Sequence, residues 1–283
     1  MSSMDKGVTL SGLAYSVVGS GPPLLWLSGY VLASGVLDRY VAAFSDHYTC
    51  IVFDARGSGL TRPATCRLTT TSMAQDALDV LRHVGYDSAH VHGLSLGGMV
   101  AQELAIRAPH RVRTLVLGST TAGGTAATPA RLSTMWSSIY GTHSPVPGSE
   151  SLSWRGAFQQ AMAASTHDAA ARLHRVRAPT LVMHGDRDRL LPPQNAETLT
   201  RLIPGAQLRL VPRAGHFYPM TTPEKAANVV LEWMASQGDV QPVPRSPRQE
   251  RWHLVQDMAA APVRWTRAQL MPLRHTYRTF RPS

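Results

Sequence analysis

Gly93-Leu94-Ser95-Leu96-Gly97-Gly98 decides how the rest of the chain is read. It closes a short apolar run, Ala89 to Gly93, and opens a helical pattern, Leu96 to Arg107, so Ser95 falls on a strand-to-helix turn. A turn that tight strains the backbone of its central residue, and the residues two positions away must lack a Cβ to avoid collision. Gly93 and Gly97 meet that demand. A hydroxyl on such an elbow stands above the sheet, where a nucleophile is useful.

Outward from the elbow, short apolar runs alternate with amphipathic stretches. Leu13 to Val18 and Leu24 to Ser28 are strand candidates joined by Gly19-Ser20-Gly21-Pro22-Pro23, a turn signal that favours an antiparallel hairpin. Cys50 to Asp54, Ala89 to Gly93, Thr114 to Gly118, Thr180 to Gly185 and Gln207 to Val211 are parallel candidates. Helical patterns fill the gaps at Ser72 to Val84, Leu96 to Arg107, Pro193 to Leu202 and Pro223 to Ser236. This alternation predicts an α/β fold, a mostly parallel sheet flanked by helices, with its core in residues 1–118 and 179–236. Between them, 119–178 is rich in Thr, Ala, Gly and Ser, has no strand pattern, and reads as a helical insertion. Residues 237–283 form a Pro/Arg-rich extension, in which Trp252, Val255 and Met258 recur at helical spacing.

Composition excludes several classes. With 43% hydrophobic and 16% charged residues among 283, the chain has enough apolar surface to bury a sizeable core and is not a disordered polymer. The net charge of +10 comes almost entirely from arginine, with Lys6 and Lys225 the only lysines. Half of it lies in 237–283, where eight arginines face Asp239, Glu250 and Asp257, so the body is mildly basic and no nucleic-acid partner is expected. Cys50 and Cys66 cannot staple a fold of this size, and no Cys/His spacing suits a metal, which fits a reducing, cytoplasmic setting. Neither a signal peptide nor an apolar run of the ~20 residues that span a bilayer is seen.

A serine hydroxyl needs a base, and the base needs an acid to orient it. His216 lies in the loop Arg213-Ala214-Gly215-His216-Phe217, after the last strand pattern and before the last helix, where chain order wants the base. His92 and His184 fall inside strands and read as core histidines, whereas His83, His110, His143 and His167 lie among polar residues and read as solvated. Asp186 and Asp188 both follow a strand; Asp188 is favoured. Two backbone N–H groups should face the oxyanion formed on attack. The amide of Leu96 comes with the elbow, and Tyr30 in Ser28-Gly29-Tyr30 is the candidate for the second.

Residues 8–236 resemble the α/β-hydrolase superfamily, in particular actinobacterial-type small esterases and enzymes similar to 3-oxoadipate enol-lactonases. The resemblance is carried by Asp54-Ala55-Arg56-Gly57-Ser58-Gly59 (D-x-R-G-x-G), Gly93 to Gly98 (G-x-S-x-G-G), Gly185 to Asp188 with Pro192, and Ala214-Gly215-His216. It implies that Ser95, Asp188 and His216 form a catalytic triad and that no cofactor is required. The family usually has His-Gly where this chain has Ser28-Gly29; since the donor is a backbone amide, that change does not by itself remove the hole. The serine sets the chain apart from dehalogenases and epoxide hydrolases of this fold, which carry aspartate at the elbow. By resemblance the insertion is a lid whose Met135, Trp136, Tyr140, Trp154 and Phe158 line an apolar pocket or form the lid's own core. The implied substrate is a small to mid-sized hydrophobic ester, lactone or thioester. Alternatives are acyl transfer or acyl elimination on a natural-product intermediate by the same residues, and a non-catalytic binding module. The extension reads as a partly disordered basic tail, a contact for an acidic surface, or a segment that docks onto the body or onto a second subunit in a homo-oligomer; its apolar Trp252, Trp265 and Leu270 favour docking.

Overall fold

Strands that are apolar along their whole length can be covered only from both sides. The computed structural model describes residues 5–123 and 153–238, and its sheet is built that way. Contacts divide the chain between Val243 and Pro244, and every described residue belongs to the first unit. The strands are β1 (Asp5–Val8), β2 (Ala14–Val18), β3 (Pro23–Leu27), β4 (Thr49–Phe53), β5 (Ala89–Leu94), β6 (Val112–Gly118), β7 (Thr180–Gly185) and β8 (Gln207–Val211), in spatial order β1-β2-β4-β3-β5-β6-β7-β8. From β4 to β8 the neighbours run parallel; β1 and β2 add an antiparallel edge.

Because successive side chains point to opposite faces, each central strand feeds two cores. Leu25, Leu27, Ile51, Phe53, Val91, Leu115, Leu117 and Val182 face one side. There they pack with α2 (Thr70–His83), α3 (Leu96–Arg107) and α5 (Gln194–Leu202). Leu24, Trp26, Cys50, Val52, Val116, Leu181 and Met183 face the other, against α1 (Asp38–Ala42), α6 (Tyr218–Thr221) and α7 (Pro223–Ser236). Cys50 is buried and Cys66 exposed, both unpaired.

Two expectations are corrected. β2 and β3 do not form a hairpin, because β4 lies between them, antiparallel to β2 and parallel to β3. The four residues between them step over one strand, a gap of about 10 Å at the usual inter-strand spacing. On its other side β2 pairs with β1, which carries no apolar alternation because Asp5, Lys6 and Val8 are exposed at the sheet edge. Nor are His110 and His167 solvated, since both are buried.

Between β6 and β7 the described residues form α4 (Trp154–Ser165), capped by the Ser153 hydroxyl accepting from the Gly156 amide, and a 3-10 turn over Ala170–Arg175. Glu103, buried on α3, binds this return segment: its carboxylate accepts from Arg172 at 2.6 and 3.0 Å and from Arg107 at 2.8 Å. Burial alone would raise its pKa, but these guanidinium partners hold it down at about 2. His167, with Nδ1 3.0 Å from the Thr70 hydroxyl, is pushed down to about 4 by burial and stays neutral. No helix among the described residues is long and apolar enough to cross a membrane.

Candidate active site

Ser95 sits where β5 becomes α3, at φ 54° and ψ −116°. Such backbone costs on the order of 1–3 kcal/mol, so its surroundings must hold it. They do so from three directions. The Ser95 amide donates to the Gly118 carbonyl (2.8 Å), the Thr120 hydroxyl donates to the Ser95 carbonyl (2.7 Å), and the Gly98 and Met99 amides donate to the same carbonyl from α3. A Cβ on Gly97 would overlap the carbonyls of Leu27 and Ser28, and one on Gly93 would overlap that of Gly97. Helix and sheet therefore approach as closely as backbone permits.

Asp188 follows β7. One carboxylate oxygen accepts from the amides of Leu190 and Leu191, both at 2.9 Å. The other accepts from His216 Nδ1 at 2.8 Å and lies 3.1 Å from His184 Nε2, which is also 2.8 Å from the Leu191 carbonyl. Burial would raise this carboxyl, but hydrogen bonds from the two histidines outweigh it and hold Asp188 well below the usual carboxylate range. Asp186 is exposed and accepts from the Ala214 amide at 3.2 Å, bracing the histidine loop.

His216 reaches back from its loop so that Nε2 lies 3.0 Å from Ser95 Oγ, with the Phe217 ring edge-on to the imidazole at 5.1 Å. A carboxylate only accepts, so the Asp188 contact assigns the proton to Nδ1 and leaves Nε2 able to accept from the serine hydroxyl. Ser95, Asp188 and His216 are 7%, 4% and 6% exposed, so the row is shielded from water. Such a row can draw a proton from the hydroxyl as its oxygen attacks an electrophile.

Leu96 begins α3, where an amide has no intrahelical acceptor and the helix dipole favours negative charge. Buried Tyr30 lies on the loop leaving β3. That loop passes close to the nucleophile: a Cβ on Gly29 would lie 3.5 Å from Ser95 Cβ. The Ser28 hydroxyl is buried without a hydrogen-bond partner among the described residues, beside a small cavity lined by Met73, Asp76 and Val100. Of the pocket candidates, Met135, Trp136 and Tyr140 lie outside the described residues. Trp154 and Phe158 are 80% and 63% exposed, so neither is core of α4.

Two contributors escaped the sequence reading. His184 is the buried strand histidine expected, yet its ring also engages Asp188; its place four residues before that acid was the available signal. Thr120, which grips the Ser95 carbonyl, had no signal, because one threonine in the Thr-rich stretch after β6 looks like any other.

The chain belongs to the alpha/beta hydrolase family, whose model matches residues 11–229, and it is an enzyme of hydrolase type. Over 260 residues it is 30% identical to the pimeloyl-[acyl-carrier protein] methyl ester esterase of Nitrosomonas europaea, an alignment covering 76% of this chain and 97% of that protein. It is 30% identical over 249 residues to the 2-hydroxymuconate semialdehyde hydrolase of Pseudomonas putida, covering 77% and 88%. Among solved structures, a hydrolase from Pseudomonas aeruginosa superposes with a TM-score of 0.73 at 26% identity, covering 82% of this chain and 98% of the other.

Proposed function

We propose that the chain is a serine hydrolase of hydrophobic carboxylic esters, lactones or thioesters, acting through an acyl-enzyme on Ser95. The observation that carries this reading is the imidazole of His216 spanning Ser95 Oγ at 3.0 Å and Asp188 at 2.8 Å across three buried side chains. Ser95 Oγ attacks the carbonyl carbon as its proton passes to His216 Nε2, and Asp188 stabilises the imidazolium. The oxyanion is received by the amides of Leu96 and Tyr30. Collapse breaks the bond to the alkoxide or thiolate, which takes the proton from His216. Water, deprotonated in turn by His216, then attacks the ester on Ser95 and releases the acid.

Residues 119–178 cap the core formed by 1–118 and 179–236, and their apolar side chains, Trp154 and Phe158 among them, meet the acyl group. The esterase name of the N. europaea relative supports the ester class. Unpaired Cys50 and Cys66 support a reducing compartment. The test is to treat the protein with a fluorophosphonate, map the adduct, and screen aryl and alkyl esters of graded chain length. Labelling of Ser95 and turnover of at least one ester are expected. Labelling elsewhere, or none on folded protein, overturns the reading.

A further inference from the structure

Gln160 is wholly buried on α4, 129 positions in sequence from the loop it touches. Its side-chain oxygen accepts from the Val31 amide at 2.8 Å. Its side-chain nitrogen donates to the Arg56 carbonyl and to the Ser58 hydroxyl, both at 2.9 Å. A buried amide with three bonds fixed is a rigid link, since freeing any of them leaves a polar group without water.

Val31 needs such a link. It is β-branched and sits at φ 52°, a backbone conformation such residues rarely adopt, and it directly follows Tyr30. By taking the Val31 N–H, Gln160 fixes the Tyr30–Val31 peptide plane and hence the turn that presents the Tyr30 amide. That turn is closed at its far end by the Leu32 amide donating to the Gly29 carbonyl at 3.2 Å. The opposite anchor is firm. Asp54 accepts from the amides of Ser34 (2.7 Å) and Leu60 (2.9 Å), and the Arg56 guanidinium pairs with Asp76 at 2.8–3.1 Å. One turn before Gln160, Gly156 meets Gly57 so closely that a Cβ on either would overlap the other's backbone. Both residues share one face of α4, which seats Gln160 against both loops.

We infer that Gln160 is a positioning residue for the oxyanion hole, so that α4, a helix outside the sheet and its flanking layers, completes the hole. This rests on the serine-hydrolase reading. Gln159 supplies the control: its side-chain nitrogen donates to the carbonyls of Ala64 and Cys66, so it docks the same helix without touching the Val31 loop.

The experiment compares full-length wild type, Gln160→Leu, Gln160→Glu and Gln159→Ala. It measures kcat and KM on the best ester from the screen, and Ki for a trifluoromethyl ketone with the same acyl group. The ketone becomes a tetrahedral alkoxide on the serine and so reports on the hole. Gln160→Leu should lower kcat by roughly 10- to 100-fold, near the low end for loss of an oxyanion donor, with KM little changed. The ketone should weaken by the same factor, while Gln159→Ala stays within about twofold of wild type on both readouts. Should the leucine variant not fold, Gln160→Glu, which keeps the acceptor for Val31 and loses the donors, must show the same pattern at smaller size. An unchanged kcat, a fall in kcat without weaker ketone binding, or an equal loss in Gln159→Ala overturns the inference. If wild type gives no fluorophosphonate adduct at Ser95, the hydrolase reading falls and this inference with it; if it gives one and the Gln160 pattern is absent, only this inference falls.

Discussion

The Ser95 elbow and the turn from Gly29 to Leu32 pass close to each other, yet they are held by opposite means. The serine's turn is enforced by its neighbours in the chain, through two glycines and the first amides of its own helix, with Thr120 and Gly118 closing it from the adjacent strand. The loop carrying Tyr30 owes its shape to a glutamine that arrives 129 positions later. Strain is present on both sides, at φ 54° for Ser95 and φ 52° for Val31. The chemistry of attack and the shape of the site are thus separable properties of the fold.

The largest effects should come from the local side. Ser95→Ala should reduce ester turnover by roughly 10,000-fold or more, leaving what the oxyanion amides and binding still provide. The protein should keep its melting temperature, because the hydroxyl's partner is His216 and the backbone strain is unchanged. A residual rate within about 100-fold of wild type would move the nucleophile elsewhere. Gly97→Ala attacks the same side through packing: a methyl group among the Leu27 and Ser28 carbonyls must push α3 off β3, so both stability and fluorophosphonate labelling should fall together. Loss of labelling with full stability would show that the elbow tolerates bulk and that the local constraint is weaker than described.

Next in size is the acid. Asp188→Asn should cost roughly 10,000-fold, because an amide in place of the carboxylate imposes the wrong tautomer on His216. Asp186→Asn should cost less than about tenfold, since that side chain only braces the Ala214 amide. Turnover of both variants, each verified as folded, checks the assignment; the reverse order overturns it.

This contrast also explains what could be read from the sequence. The elbow, the acid turn with Asp188 and Pro192, and the loop around His216 are each encoded within a few consecutive residues, so their side chains and spacing announce them. Four of the five strands read as parallel, β4, β5, β6 and β7, were equally plain, because each is buried on both faces; β8, exposed along most of its length at the sheet edge, was legible only from its position after the acid turn. Other features were decided by distant partners. The turn at 19–22 looks like a hairpin turn and would have been one had β4 not paired with both flanking strands. β1 is polar because it is an edge, so periodicity passes over it. His167 stands among polar neighbours in sequence but is enclosed by Thr70, Gln102 and Glu103 from two other helices. Gln160 is a polar residue on a helix whose neighbours gave no reason to bury it.

The smallest expected effect tests the distant side through pH. His167 lies where the chain returns to the sheet, and burial takes its pKa from 6.5 down to about 4. A histidine depressed in this way is neutral in the folded protein while the unfolded chain takes up a proton below pH 6.5. Stability therefore falls as pH drops from 6.5 toward 4 and is flat above that window. The displacement corresponds to at most about 3 kcal/mol at full extent, or a melting-temperature change of several degrees for a protein of this size. His167→Gln keeps hydrogen-bonding capacity toward Thr70 and Gln102 and cannot titrate. Its melting temperature should decline less steeply than wild type between pH 6.5 and 4.5. The loss that begins near pH 4.5, where the unfolded chain takes up a proton that Glu103, held at about 2 in the folded protein, does not, should remain in both proteins. Parallel melting curves across the upper window would mean that the return segment opens enough to hydrate His167. Its anchoring would then rest on the Glu103–Arg172 pair and the Ala169–Ala122 backbone bond, so the segment that carries α4 would be held more loosely than the elbow.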